Sequence, residues 1–287
     1  MQQTQDLIAK LNRSGKKLSK SHRRIAEYIA QHYDKAVSMT ASRLGEAAGV
    51  SESTVVRFAV AMGYEGYPAL QQNLQELVRH RLTATQRFEM VSEIGEGSVL
   101  STVLKADMQN IRSTIEDIDE AAFSEAARAI SGSRRLYILG LRSAAPLAEF
   151  AGYYLHYILD DVRVVAAGST DVFESISRIE KGDVLLAISF PRYSSRTIEA
   201  MHFARIRGAQ VIGITDGPMS PLHEAADICL SVRTDMASFV DSMAAPMSVI
   251  NALIVALGLK NRDAVAERFK QLEEVWDAYS VYMNESK

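Results

Sequence analysis

The chain has 287 residues, enough for two domains of ordinary size, and its hydrophobic content of 47% supports substantial cores. Its single cysteine, Cys229, excludes an intramolecular disulfide and is predicted to be a small buried hydrophobe, and no Cys/His spacing indicates a metal site. The net charge of −3 excludes no class of partner, but the polar, basic residues 1–17 and the lack of an apolar run near ~20 residues predict a cytoplasmic protein without signal peptide or membrane span.

Basic residues concentrate in the N-terminal third. Residues 1–90 carry 13 basic and 8 acidic side chains, whereas the remainder carries 19 basic and 27 acidic. A basic front on an acidic body is typical of a small DNA-binding domain joined to a domain that does not touch DNA. Helices are predicted over residues 2–12 and 21–33. Between these helices and at the start of the second lies a positive cluster that suits phosphate contacts, and a solubilising surface is the alternative. The cluster consists of Lys16, Lys17, Lys20, Arg23 and Arg24.

Residues 40–63, TASRLGEAAGVSESTVVRFAVAMG, predict two short helices joined by a tight turn. Thr40 caps the first helix, Gly49 supplies the left-handed backbone that often follows a helix, and Ser51 caps the second. The apolar stripe of the first helix is predicted to be Leu44, Ala47 and Ala48. This arrangement predicts a helix-turn-helix whose second helix enters a major groove, and an ordinary helical hairpin is the alternative.

The second helix has a core face and an outward face. Val55, Phe58, Ala59 and Met62 fall together at helical spacing, while Ser53 and Arg57 point nearly opposite. Arginine suits bidentate contact to guanine or a phosphate clamp, and serine and threonine hydroxyls bond to bases or phosphates. The DNA-contacting residues that we predict are Lys20, Arg23, Thr40, Ser42, Ser51, Ser53, Thr54 and Arg57.

Glycines and a proline end this helix, and a helix over residues 68–80 with Tyr64 and Tyr67 completes the small core. The predicted DNA-binding domain is all-α and covers residues 1–80, with a linker over 81–98. A helix over 99–118 then packs on the second domain or across a dimer axis. Its apolar stripe is Leu100, Val103, Leu104, Met108, Ile111 and Ile115.

The remainder, residues 99–287, alternates short strands rich in Val, Ile and Leu with helices. Because the strands are apolar throughout rather than alternating, they predict a five-stranded parallel sheet buried on both faces, in a doubly wound α/β fold with right-handed connections. The predicted strands are 136–139, 163–166, 184–188, 211–214 and 228–232. The predicted helices are 121–130, 144–159, 172–178, 195–207, 241–257 and 263–283, with a short turn of helix near Pro221.

Three strand ends carry polar residues where such sheets bind ligands. Arg142 and Ser143 open a helix and form an anion site, unless Ser143 is merely a cap and Arg142 is solvated. Residues 189–197 combine hydroxyls with arginines at another helix start, and turn chemistry alone explains Asp216. The effector-binding residues that we predict are Arg142, Ser143, Ser189, Arg192, Ser194, Ser195 and Thr197.

Several stretches are similar to a known family. They are AGVSESTVVRFAVAMGYEGY, residues 48–67, and, in the second domain, LYILGLRSA, the strand ending ISF, and VIGITDGPMSPLHEAADICLSV. Through these stretches the chain resembles, over nearly its whole length, the RpiR family of bacterial transcriptional regulators. The resemblance implies a helix-turn-helix joined to a sugar isomerase (SIS) domain, in a homodimer or homotetramer. It also implies operator DNA as partner and a sugar-phosphate-like effector.

The chain departs from the family pattern at the ligand site. SIS phosphosugar sites usually carry Ser-x-Ser-Gly-x-Thr after the third strand, where residues 189–194 are SFPRYS. Pro191 removes a hydroxyl and a backbone N–H, and Arg192 replaces the glycine. Arg142 likewise stands where the first motif has a second glycine. The anion site is therefore predicted to be rebuilt around arginine, for a sugar phosphate held differently or another small acid.

The alternative function is a phosphosugar isomerase with a helical extension. An isomerase needs a general base beside the sugar. The candidates are Glu149, His156, Glu174, His202 and His223. Because no pair of them is compelling, we predict a regulator rather than an enzyme, with no catalytic residue, cofactor or metal. Two recognition helices would contact half-sites of an inverted repeat, and the effector would favour one arrangement of them.

Overall fold

A computed structural model describes residues 19–37, 39–79, 85, 87–88, 98–166, 171–236 and 239–282. The chain divides into two compact units, Met1–Gly95 and Glu96–Lys287. The predicted helix over residues 2–12 and most of the predicted linker lie outside the described residues. The domain limits of 80 and 98 therefore stay predictions.

The first unit is helical. Its described helices are α1 (Lys20–Gln31), α2 (Tyr33–Ala36), α3 (Ala41–Ala48), α4 (Glu52–Ala61) and α5 (Tyr67–Arg79). Ser19 caps α1 by accepting from the His22 N–H at 3.2 Å. The core that these helices enclose includes Ile25, Leu44, Phe58 and Leu70, all fully or almost fully buried.

The prediction was wrong for one residue in the apolar stripe of α3. Ala47 is exposed, and Gly45 is buried beside Leu44 instead. A Cβ on Gly45 would lie 2.9 Å from the Val50 carbonyl oxygen, so only glycine lets the turn approach α3 this closely. The predicted closing tyrosines are confirmed, since Tyr67 is buried and donates to the Met39 carbonyl at 2.6 Å, while the Tyr64 hydroxyl donates to Asn73 at 2.8 Å.

The five-stranded parallel sheet that the sequence predicts is confirmed in the second unit, and the structure gives its strand order as β2-β1-β3-β4-β5. The central strands β1, β3 and β4 are buried on both faces, with all six residues of β3 buried, whereas the edge strand β2 exposes Arg163 and Val164. The strands are β1 (Arg135–Gly140), β2 (Val162–Val165), β3 (Asp183–Ile188), β4 (Gln210–Thr215) and β5 (Ile228–Ser231). The helices are α6 (Val99–Asp117), α7 (Glu120–Ser131), α8 (Ala145–Leu155), α9 (Val172–Ser175), α10 (Ser195–Ile206), α11 (Pro221–Ala225), α12 (Ala244–Lys260) and α13 (Arg262–Ala278).

Helices cover both faces of the sheet, which is the doubly wound arrangement. Residues of α7, α8 and α12 form one core cluster with the sheet, and residues of α10 and α11 form a second. The helix predicted over 144–159 ends earlier, at Leu155, and the last helix begins at Arg262. Among the described residues no single helix is long and apolar enough to cross a membrane, although α12 and α13, bent by 100° at their junction, would qualify together.

The helix α6 packs on this unit largely through polar residues, with Ile111 of the predicted stripe packed against the core. Asn110 and Thr114 are buried, and Asn110 donates to the Asp235 carbonyl at 2.8 Å while Thr114 accepts from the Arg233 N–H at 3.0 Å. The predicted apolar stripe points mostly outward instead, with Leu100, Met108 and Ile115 each about seven-tenths exposed (75%, 69% and 73%).

Candidate functional site

The turn between α3 and α4 has the geometry of a helix-turn-helix. Thr40 caps α3 by accepting from the Arg43 N–H at 3.3 Å. Gly49 ends it with a φ of 66°, and the Val50 N–H donates to the Gly45 carbonyl at 2.8 Å. The left-handed backbone at position 49 costs glycine almost nothing. These contacts fix the angle at which α4 leaves the turn.

The outward face of α4 carries the predicted polar residues. Ser53 and Arg57 are exposed, and the Arg57 guanidinium donates to the Ser53 carbonyl at 3.3 Å and to the Thr54 hydroxyl at 3.4 Å. Ser51 stands at the N-cap position, but its hydroxyl does not cap the helix. It pairs with the Ser53 and Thr54 hydroxyls at 3.0 and 2.8 Å, so the predicted cap was wrong because neighbouring hydroxyls compete for it.

Two apolar residues on this face were missed by the sequence analysis. Val56 is 39% exposed and Val60 is 56% exposed, beside the arginine. Their places next to the buried residues Val55 and Ala59 conceal them in the sequence, because a valine in a helix is usually a core residue. Exposed aliphatic groups on a recognition helix suit contact with the methyl group of thymine.

The remaining predicted DNA contacts lie at helix starts. Lys20 and Arg23 are exposed in the first turn of α1, and Thr40 and Ser42 are exposed at the start of α3. Arg24 joins α1 to the turn through a 3.5 Å contact with the Gly49 carbonyl. Lys16 and Lys17 lie outside the described residues.

In the second unit, the predicted effector residues follow two neighbouring strands. The strand order reverses between β1 and β3, where Gly140 pairs in register with Ile188. Ligands of doubly wound sheets bind beyond the carboxyl ends of the strands at such a switch point. Arg142 and Ser143 follow β1, and residues 189–197 follow β3, so the fold brings the two predicted loops to one edge.

The loop after β1 differs from the expected helix start. A 3₁₀ turn, Arg142–Ala144, precedes α8, which begins at Ala145 with no side-chain cap. Ser143 is exposed and does not cap the helix, so the simple capping interpretation was wrong. Arg142 is exposed and has a φ of 57°, in the left-handed region that favours glycine.

The loop after β3 combines a buried hydroxyl with an exposed arginine. Thr197, in the first turn of α10, is fully buried, and among the described residues its hydroxyl has no hydrogen-bond partner. Ser194 stands at the N-cap without a side-chain cap bond, and Ser189 is buried at the end of β3. Arg192 is exposed with a φ of 65°.

Asp216 connects two loops, whereas the sequence predicted only a role in its own turn. The Tyr193 hydroxyl donates to the Asp216 carboxylate at 2.6 Å, and the Thr215 hydroxyl donates to it at 3.2 Å. The residue after Arg192 is thereby tied to the end of β4. Cys229 is half-buried rather than fully buried as predicted. Burial and, to a lesser extent, the Asp216 carboxylate raise the pKa of its thiol to about 11, so this thiol is an unreactive side chain of the sheet.

None of the five candidate general bases is shielded from water. Glu149 lies on α8 and His202 on α10, well inside their helices, and both are exposed. His156, Glu174 and His223 are also exposed. An isomerase would hold its base against the sugar in a site shielded from water.

The chain matches two family models. Residues 5–80 match the helix-turn-helix domain of the rpiR family, and residues 129–256 match the SIS domain. An uncharacterised HTH-type transcriptional regulator of Caldanaerobacter subterraneus is 24% identical over 277 residues, which are 94% of this chain and 96% of that protein. The HTH-type transcriptional regulator HexR of Pseudomonas aeruginosa is 26% identical over 263 residues, 90% of each chain.

Solved structures share the fold. The sugar isomerase domain of an RpiR transcription factor from Sphaerobacter thermophilus superposes with a TM-score of 0.59 at 21% identity, covering 62% of this chain and 99% of its own. The Vibrio vulnificus NanR protein complexed with ManNAc-6P has a TM-score of 0.58 at 20% identity, covering 97% of this chain and 100% of its own.

Proposed function

The chain belongs to the RpiR family of transcriptional regulators, and from this premise we propose which residues contact DNA and which bind its effector. It is a ligand-responsive DNA-binding regulator of transcription, and the prediction of a regulator rather than an isomerase is confirmed by the family match and by relatives named as regulators. We place its action in the cytoplasm, where bacterial operator DNA lies.

The DNA-contacting face is the outward face of α4. The observation that supports it best is an exposed Arg57 beside exposed Ser53, on the second helix of a well-formed helix-turn-helix. We assign base contacts to Arg57, Ser53 and Thr54. Phosphate contacts go to residues at the starts of α1, α3 and α4, where backbone N–H groups and cations suit anions. These are Lys20, Arg23, Thr40, Ser42 and Ser51.

Selection of tight-binding duplexes from a random pool tests this face. The full-length protein is expected to enrich an inverted repeat whose half-sites lie about one helical turn apart, because two recognition helices enter successive major grooves. A single unrepeated half-site, or no enrichment at all, would contradict the proposed mode of binding. Affinity for the selected site should fall steeply with salt, since phosphate contacts release counterions.

The effector site lies at the carboxyl edge of β1 and β3. Its proposed members share this edge and are Arg142, Ser143, Ser189, Arg192, Ser194, Ser195 and Thr197. The ligand we infer is a sugar phosphate or a similar small anion, which the complex of the related NanR protein with ManNAc-6P supports. The ligand changes operator affinity only if it binds the two states of the protein with different affinities.

The effector site is tested by an anisotropy titration of the selected duplex with and without sugar phosphates. Arg192→Ala should weaken the response to the effector while DNA binding without ligand stays intact. An Arg192→Ala protein that no longer binds DNA would indicate a structural role for this arginine instead.

We propose that the outward face of α6 joins two copies of the chain. Its polar side is occupied by Asp235, Arg233 and other groups of its own unit, including a 2.6 Å hydrogen bond from Ser242 to Asp107. Leu100, Leu104, Met108 and Ile115 remain exposed on the other side. A contiguous apolar face of this kind is typical of an interface, and an inverted-repeat operator requires two DNA-binding domains.

Light scattering of the double variant Met108→Glu and Ile115→Glu tests this interface. We expect dissociation to monomers, because two carboxylates would be buried without partners. Lys105→Glu, an exposed residue of the same helix, is the matched control. An unchanged dimer or tetramer in the double variant would place the interface elsewhere.

A further inference from the structure

Two arginines with left-handed backbone stand at neighbouring strand ends. Among the described residues only Arg142, Arg192 and Ser280 are non-glycine residues with positive φ, and two of these three lie at the proposed effector site. The strands that precede them are hydrogen-bonded neighbours, about 4.8 Å apart. Such backbone strain persists where the surrounding structure enforces it, and it clusters at ligand clamps.

Neither guanidinium is neutralised within the part of the chain that the structure describes. The nearby acidic groups already have partners: Arg196 pairs with Asp171 at 4.0 Å and Glu199 at 3.6 Å, and Asp216 accepts from Tyr193. At the opposite edge of the sheet, by contrast, Arg134 pairs with Asp183 at 2.8 Å and Arg135 pairs with Asp161. Arg142 and Arg192 are therefore the arginines of this edge that have no carboxylate partner among the described residues.

A separate observation places one anion at the start of α10. The Thr197 hydroxyl there is fully buried and unsatisfied by the described residues, and an unsatisfied buried hydroxyl is costly. Two N–H groups of the first turn, those of Ser195 and Arg196, and the hydroxyl of Ser194 lie at the same helix start. With Arg192 these groups suffice for a single phosphate, which leaves Arg142, on the other loop, for a second anionic group.

We propose that the effector is a small sugar-derived metabolite with two anionic groups, one held at the α10 start by Arg192 and the other by Arg142. This inference rests on the proposed function, since it specifies the ligand class of the same site. Charge-assisted, bidentate pairing of guanidinium with carboxylate or phosphate supplies the discrimination against ligands with one anionic group.

Calorimetric titration of the full-length protein with three probes tests the proposal. Glucose 6-phosphate carries one anionic group, 6-phosphogluconate adds a carboxylate at the other end, and fructose 1,6-bisphosphate adds a second phosphate. We expect at least one of the latter two to bind about tenfold or more tightly than glucose 6-phosphate, the difference that one charge-assisted pair supplies. Which of the two binds better distinguishes a carboxylate from a second phosphate.

Variants separate the two anion positions. Arg142→Ala keeps a residue other than glycine in the left-handed conformation. It should abolish the preference for the two-anion probes, while its affinity for glucose 6-phosphate stays within about threefold of the wild-type value. Arg192→Ala should weaken all three probes. Thr197→Val should also weaken all three without lowering the melting temperature of the ligand-free protein, because valine removes an unsatisfied hydroxyl at nearly constant shape. Arg196→Ala, with its arginine already ion-paired, is the control.

The outcomes distinguish this inference from the function on which it rests. If glucose 6-phosphate binds as tightly as both two-anion probes and alters operator binding, the inference is overturned and sugar-phosphate sensing stands. If Arg142→Ala weakens all probes equally, both arginines hold the same anion, which also overturns it. If no probe binds or alters operator binding, sugar-phosphate sensing fails together with the inference.

Discussion

Left-handed backbone occurs in both units of the molecule, but the units place different residues in it. In the turn of the helix-turn-helix, Gly49 adopts a φ of 66°. At the edge of the sheet, Arg142 and Arg192 adopt 57° and 65°. Where only the path of the chain matters, glycine provides it without strain. An arginine in the same left-handed conformation is strained. Because a glycine there would avoid the strain, the presence of a long cationic side chain is a reason to expect a function at that position.

The same contrast holds for the way each unit presents its side chains. The DNA-contacting residues stand on a regular helix, and the hydroxyls of Ser51, Ser53 and Thr54 bond with one another. The effector residues stand on two loops and in the first turn of α10, with a buried hydroxyl that lacks a partner among the described residues. A duplex presents a groove of fixed shape that a rigid helix fits, whereas a small molecule needs groups that converge from several strand ends.

The largest expected effect breaks the unstrained turn. Gly49→Val should lower the free energy of unfolding of the first unit by about 2–3 kcal/mol, because a β-branched residue is strongly disfavoured at positive φ. Ala47→Val, on the exposed face of α3, should cost less than about 0.7 kcal/mol. Urea unfolding followed by circular dichroism measures both. Equal costs would mean that the turn relaxes and that the comparison drawn from Gly49 is wrong.

A smaller effect separates DNA recognition from stability. Arg57→Ala should cost about 1–3 kcal/mol of operator affinity if Arg57 contacts a base, while the melting temperature barely changes because the side chain is exposed. Fluorescence anisotropy with the operator and with a scrambled duplex is the measurement. A loss shared equally by both duplexes would make Arg57 a phosphate clamp, and no loss would remove it from the interface.

Relief of backbone strain at the sheet edge should raise the free energy of unfolding rather than lower it. Arg142→Gly and Arg192→Gly should each stabilise the ligand-free protein by about 1 kcal/mol, since glycine accepts the left-handed backbone that arginine resists. Chemical unfolding in the absence of effector checks this, with Arg196→Gly as a destabilising control inside α10. Destabilisation by both loop variants would show that the guanidiniums support the fold.

The smallest expected effect concerns an exposed valine on the recognition helix α4. Val56→Ala should weaken operator binding by about 0.5–1 kcal/mol if Val56 packs against a thymine methyl group. Replacing individual thymines by deoxyuridine in the operator should produce a similar loss with the wild-type protein and none with Val56→Ala. Additive losses would indicate that the valine and the methyl group do not touch.

How much the sequence could predict depended on how local each signal was. The helix-turn-helix follows from a cap, a glycine and apolar spacing that all lie within residues 40–63. The five strands follow from short apolar runs, because both faces of a parallel sheet are buried. The arginines and hydroxyls of the two loops were likewise visible as residue types that suit anions.

What the sequence alone determined is therefore the order of the elements and the chemistry of the residues that follow them. Only the tertiary structure decided that α6 turns its polar side inward and that Tyr193 fastens its loop to Asp216. It alone decided that two arginines have left-handed backbone. The physical reason is that propensity acts over a few residues, whereas the facing of a helix, the partner of a hydroxyl and the strain of a loop depend on groups far away in the chain.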